Sequence, residues 1–251
     1  MDAGHPEWGL LLQNISNASQ TKPQPGTSSP TAAWAKSAAA EFSASLAALD
    51  TAYPGKIAGV QIEGLCGGEW FYFPTDPVGR MVGDYSEEMR AEFCTAEGGG
   101  NSSCVLPTAM ERDTASLGNA LLQWESSEDP SARSFRYNRF ISQKVAGAIG
   151  AFAAAVKNIS TNKALTLAFN GYLFDLSDSR LTGSGHLDLS SLLKNPQLDV
   201  IDSPYQYGIS RHPGGRFTSH GPVDSATLHG NMWVSGKFTS NHENLRSQSI
   251  F

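Results

Sequence analysis

An α/β fold of the TIM type, a partial (β/α)8 barrel, is the architecture that the 251-residue sequence predicts. Three observations carry it. Short, mostly apolar strand candidates alternate with helices, which argues for parallel β/α units rather than an antiparallel sandwich. The long segments all follow strands, where such a barrel builds its active face. About four units are visible in the sequence, against eight in a complete barrel of roughly 250 residues. The expectation is one incomplete domain over 1–251, truncated at both ends and showing strands four to seven.

Residues 14–31 are rich in Asn, Ser, Thr, Pro and Gly and predict a flexible, exposed loop. Over 32–50, Trp34, Ala38, Phe42, Leu46 and Leu49 recur at helical spacing, and Pro54-Gly55 ends the helix. Ile57-Ala-Gly-Val-Gln-Ile62 is short and β-branched, as a buried strand is. A Gly-rich aromatic segment runs on through Phe73. A short helix is expected at 86–94, a loop at 96–107 and a helix at 108–124. The clearest element is 132–157, where Ile141, Val145, Ile149, Phe152 and Val156 share one face of a long amphipathic helix. Ala164–Phe169 predicts a second strand. A loop carrying Gly171, Gly183 and Gly185 leads to a short helix near Leu189–Leu193. Leu198–Ile201 predicts a third strand, and a polar Gly- and Pro-rich loop runs through residue 223. Asn231–Val234 opens the fourth strand.

Composition narrows the function. With 40% hydrophobic residues, five Trp, seven Tyr and twelve Phe, the chain has enough apolar bulk for a core, which excludes wholesale disorder. The net charge of −6, with no basic run, argues against a nucleic-acid partner. No stretch approaches the roughly 20 apolar residues of a membrane span. Of the three cysteines, Cys94 and Cys104 flank a Gly-rich loop and are suited to a local bridge; three free thiols are the equal alternative. No C-x-x-C motif points to zinc. The N-terminus lacks a basic region followed by an apolar core. N-x-S/T acceptors at Asn14, Asn17, Asn101 and Asn158 incline the reading towards secretion.

The sequence contains no P-loop, no G-x-S-x-G elbow and no metal-ligand spacing among its six histidines. His242-Glu243 begins like a zincin helix, but Arg246 stands where the second His belongs. No metal or cofactor is expected. What remains is carboxylates beside aromatics. Glu69 follows the first predicted strand within Gly67-Gly-Glu-Trp-Phe-Tyr72. A carboxyl desolvated against Trp70 suits a general acid, and aromatic faces suit sugar rings. The bland alternative is a loop Glu beside core aromatics. A second cluster, Asp202-Ser-Pro-Tyr205-Gln-Tyr207 with Arg211, follows the third strand; the alternative is a turn stabilised by Pro204. The third is Asn241-His-Glu243-Asn-Leu-Arg246, where a nearby Arg holds a carboxylate ionised, as a nucleophile must be. Its alternative is a loop salt bridge.

These residues carry a resemblance. Gly59-Val-Gln-Ile-Glu-Gly-Leu-Cys-Gly-Gly-Glu69-Trp70 resembles the Gly-Tyr-His-Ile … Gly … Glu-Trp segment of β-galactosidase-like barrels similar to glycoside hydrolase family 42. Gly185-His186 through Asp199-Val-Ile-Asp-Ser-Pro204-Tyr205-Gln-Tyr207 is similar to that group's Gly-His … Ser-Pro … Tyr stretch. Ser225–Gly230 resembles the segment before the seventh barrel strand, and His242-Glu-Asn-Leu-Arg246-Ser resembles the Glu-x-Asp-x-Arg-Thr ending. The resemblance spans roughly residues 34–247. It implies a retaining β-glycosidase acting on carbohydrate, with the acid/base after strand four and the nucleophile after strand seven. Glu69 matches the acid/base. In direct register from Arg246 the nucleophile position falls on His242, and a one-residue gap brings Glu243 there; Asn244 replaces the family's Asp. Tyr205, Tyr207 and Arg211 are then candidates to hold sugar hydroxyls, and Trp70 to stack on the ring. The other reading is an inactive sugar-binding barrel or a non-functional fragment.

Overall fold

In the computed structural model, the described residues are 9–66, 68–72, 81–98, 104–117, 129–171, 173, 184–203 and 221–235. In chain order they form β1 (Gly9–Asn14), β2 (Asn17–Ser28), α1 (Ala32–Ala52), β3 (Gly59–Ile62), β4 (Met81–Val82), α2 (Glu87–Ala96) and α3 (Ala109–Leu117). Then follow α4 (Pro130–Ile159), β5 (Leu165–Phe169), α5 (Leu189–Leu193), β6 (Val200–Ser203), α6 (Val223–Leu228) and β7 (Met232–Ser235).

The helices start where their caps dictate. Thr31 accepts from the Trp34 amide at 3.3 Å and opens α1. Ser86 does the same for α2 from Met89, with Glu87 and Glu88 in the first turn, where the helix dipole favours them. Thr108 and Glu111 cap α3 reciprocally: the hydroxyl accepts from the Glu111 amide and the carboxylate from the Thr108 amide, a capping box. Asp129 caps α4, and Pro130 takes the first turn, where a missing N–H costs nothing.

The four strands expected from apolar runs form one parallel sheet in the order β3-β5-β6-β7. Its register sets Ile62, Ala168, Ile201 and Trp233 side by side in one row. The α4 face is as its periodicity predicts: Ile141, Val145, Ile149, Phe152 and Val156 are all buried, and the core closes around them. Val156 also joins Leu46 of α1 and Ala164 in a second cluster against Val60. At the foot of the sheet, Lys157 donates to Asp199 at 2.5 Å and to the Ala164 carbonyl at 2.9 Å, tying α4 to β6. Buried Arg112 donates to the Gly83 carbonyl, Asn138 and Tyr85, and so links α3 to α4 and to the turn after β4.

Two expectations are corrected. The segment 14–31 is not a flexible loop: most of it is β2, which pairs antiparallel with β1 in a second sheet ordered β2-β1-β4. As an outer strand with largely exposed polar residues, β2 has no apolar alternation to announce it, and an edge accepts Pro23. On α1, Leu49 is 47% exposed and drops out of the predicted stripe; Leu46 is buried as expected, Trp34, Ala38 and Phe42 pack partly buried against the core, and Ala35 and Ala39 join them as buried residues. Among the described residues the parallel sheet has four strands with β3 and β7 at its edges, in line with the four units expected of a partial barrel. The α3 prediction of 108–124 holds through Leu117, and the remainder lies outside the described residues.

The bridge between Cys94 and Cys104 is formed and fastens the end of α2 to the segment before α3, while Cys66 is free and buried. Burial pushes the Cys66 thiol up to about 11. Among the described residues no helix is long and apolar enough to cross a membrane.

Candidate active site

Parallel strands carry all their carboxyl ends to one side, so the segments after β3, β5 and β6 open on the same face. After β3 the chain does not leave the sheet directly. It folds residues 63–72 into a tight loop around Trp70. The indole is fully buried and donates Nε1–H to the Ile62 carbonyl at 3.0 Å. The Trp70 amide donates to the Gly64 carbonyl at 2.9 Å, and Trp70 itself takes a positive φ of 61°. The ring lies directly over Gly64. A Cβ there would stand 2.6 Å from the indole, so no other residue fits without moving the loop. Gly68, with φ +76°, makes the turn beside Glu63.

This loop presents Glu69, half-buried and paired to Gly64 in a short bridge. Its backbone is held from the far side of the sequence. His186 donates from Nε2 to the Glu69 carbonyl at 2.9 Å and stacks on Phe71 at 4.5 Å between ring centroids. A carbonyl only accepts, so Nε2 carries the proton. Complete burial lowers the imidazole to about 4, against smaller opposing effects from the backbone of Glu69 and Trp70, so His186 is neutral at pH 7. Next in sequence, the Tyr72 amide donates to the Ser184 carbonyl at 3.2 Å and its hydroxyl to the Ile141 carbonyl at 3.2 Å. Glu69 therefore stands on a rigid mount, as a residue that transfers protons in a fixed geometry requires.

The neighbouring strand ends add polar groups: Asp202 and Ser203, which open the second cluster seen in the sequence, and Asn170 and Trp233, which sequence reasoning passed over. Asn170 follows β5, is buried, and keeps its Oδ1 without a hydrogen bond. Its backbone N–H donates to the Asp202 carbonyl at 3.0 Å. Asp202 and Ser203 end β6, fully buried. Trp233 of β7 reaches across to Gly171, where a Cβ would meet its ring at 3.4 Å, and its Nε1 is buried without a partner. A lone Asn after an apolar strand and a Trp inside one carry no signal of their own. Only the strand register reveals that they converge.

Of the residues singled out from sequence, Glu69 occupies the carboxyl edge of the sheet. Trp70 requires a correction. Its ring is packed inside the loop, so it has no open face for a sugar and acts instead as the core on which Glu69 is mounted. Tyr205, Tyr207, Arg211, His242 and Glu243 lie outside the described residues. Among the described residues, no group of three or more His, Cys, Asp or Glu side chains is placed to hold a metal ion.

No protein-family model and no curated protein matches the chain. Among solved structures it is similar to the catalytic domain of β-amylase from Paenibacillus polymyxa, with a TM-score of 0.62 and 14% identity. The match covers 92% of this chain and 61% of that one, so the chain spans about three fifths of the neighbour's length. At that identity the likeness concerns the fold, which in the neighbour is the TIM barrel of a glycoside hydrolase.

Proposed function

We propose that the chain is a glycoside hydrolase in which Glu69 is the general acid. The observation that carries this reading is the mounting of Glu69. A carboxylate on a rigid loop directly after a parallel strand, in a barrel-like fold, is where such chemistry is built. The likeness to a β-amylase catalytic domain supports the same reaction class.

Glu69 protonates the departing glycosidic oxygen. Glu243, one residue out of direct register with the resembled family, attacks the anomeric carbon. Water then releases the sugar, with Glu69 returning as base. Retention of this kind requires the two carboxyls to stand about 5–5.5 Å apart, and a wider pair of roughly 6.5–9.5 Å inverts. Tyr205, Tyr207 and Arg211, after β6, are proposed to hold sugar hydroxyls. For substrate, the sequence resemblance favours β-galactosides, and the neighbour's name adds amylose-type glucans.

A second reading, a sugar-binding barrel without turnover, is favoured by the register from Arg246, which puts His242 in the nucleophile's place. One experiment separates the two. Purified protein is assayed on aryl β-galactosides, aryl β-glucosides and maltooligosaccharides, with Glu69→Gln and Glu243→Gln as controls. Turnover abolished by both changes supports the two-carboxylate hydrolase, and the anomer of the first product distinguishes retention from inversion. Folded protein that binds these sugars without turnover establishes the second reading.

A further inference from the structure

The N-x-S/T acceptors at Asn14, Asn17, Asn101 and Asn158 take no part in the chemistry at Glu69, and the fold sorts them. Asn101 lies outside the described residues. Asn158 is in the last turn of α4 and Ser160 is its cap. The Ser160 hydroxyl donates to the Val156 carbonyl at 2.8 Å and accepts from the Ala164 backbone N–H at 3.2 Å. Positions two apart on a helix do not face each other, so this acceptor and its serine are not presented together. Asn14 is half-buried at the end of β1, the middle strand of the β2-β1-β4 sheet, and its side-chain amide donates to Gln20 Oε1 at 3.2 Å.

Asn17 differs in each respect. It is exposed and opens β2 directly after the turn at 15–16. Its Oδ1 accepts from the Ser19 backbone N–H at 3.1 Å, an Asx turn that folds the acceptor onto its serine. This bond occupies only the oxygen. Among the described residues Nδ2, the atom that bears an N-glycan, donates to nothing, and Ser19 is exposed as well. The Asx turn spans three residues, so it forms without waiting for the rest of the fold. A second observation concerns the compartment. The Cys94–Cys104 bridge is formed, and such bridges form and persist where thiols are oxidised, as in the secretory lumen. Asn-x-Ser/Thr glycosylation belongs to the same route.

We propose that Asn17 is an N-glycosylation site that takes its oligosaccharide from a lipid-pyrophosphate donor in that lumen. Asn17 Nδ2 attacks the anomeric carbon of the donor sugar. The N–C bond forms as the bond from that carbon to the pyrophosphate oxygen breaks. The lipid pyrophosphate leaves with the electron pair, and the amide gives up one proton. The glycan then stands at the head of β2, the outer strand of its sheet, where a bulky hydrated group guards the edge against pairing with other chains. The site stands whether or not the chain turns over glycosides. The test secretes the full chain from a eukaryotic host behind a cleavable leader and treats it with peptide N-glycosidase in heavy-oxygen water. The expected result is a gain in gel mobility and a heavy-oxygen aspartate at position 17, assigned by peptide fragmentation. Asn17→Gln and Ser19→Ala each abolish that label, Ser19→Thr restores it, and Asn14→Gln leaves it unchanged. An Asn17 that stays unlabelled in folded protein with its disulfide intact overturns the proposal, as does a label that survives Ser19→Ala.

Discussion

His186 hydrogen-bonds the backbone carbonyl of Glu69 at 2.9 Å from a position 117 residues later in the chain. The contact ties the segment before α5 to the loop after β3, and it does so with a buried, neutral imidazole. It also makes the loop sensitive to acid.

In the unfolded chain His186 titrates near its ordinary 6.5, and in the fold near 4. Between those values the unfolded state takes up a proton that the folded state refuses. Stability is therefore intact above pH 6.5 and declines as pH falls towards 4. From pH 7 to pH 5 the loss from this group is about 2 kcal/mol. Urea unfolding at the two pH values measures it, and His186→Gln, which cannot protonate, flattens that part of the curve.

Gly64→Ala drives a methyl group into the Trp70 ring, which is enclosed and cannot swing away. The expected cost is about 1–3 kcal/mol, as for other overpacked cores. A lowered urea midpoint with altered near-ultraviolet circular dichroism records it. Turnover falls with it, because Glu69 rides on the same loop. An unchanged midpoint sinks the account of Trp70 as the loop's core.

Lys157 and Asp199 answer unequally to mutation. The Lys157 side chain is 9% exposed and its partner's 26%. Asp199→Ala strands a buried ammonium with the Ala164 carbonyl as its remaining partner, at a cost of about 3 kcal/mol or more. Lys157→Met keeps the stem's packing and leaves a more solvated carboxylate still bonded to Thr166, so it costs less. Equal losses in chemical denaturation would contradict this ordering.

Replacing Cys94 and Cys104 together by Ser removes a short covalent loop, worth about 2–3 kcal/mol in the chain-entropy account. Cys66 is the companion measurement. Buried and held as a thiol, it resists aromatic disulfide reagents in native protein and reacts once the chain is unfolded.

The parallel sheet was legible because each strand is a short apolar run bounded by turn residues, and α4 because five apolar residues keep helical phase over four turns. The β1–β2 hairpin was not. Leu10 and Leu12 face the core within six residues, and β2 is polar wherever it meets water. Glu69 was legible as a carboxyl beside aromatics, but its environment was misjudged. A Gly-Gly-Glu-Trp run reads equally well as a sugar platform or a packed loop, and the choice rests on Gly64, whose missing Cβ admits the Trp70 ring. The convergence of Asn170, Asp202 and Trp233 depends on strand register, which no local pattern encodes.

The Cys94–Cys104 bridge has a consequence for how the protein breaks. A protease that cuts anywhere between those two positions opens the backbone but not the molecule. The clipped protein runs as a single species on a non-reducing gel, and only a reducing gel separates it into an amino-terminal piece ending in α2 and a carboxyl-terminal piece carrying α4. With thiol present, the same nick releases the half bearing Glu69 from the half bearing His186.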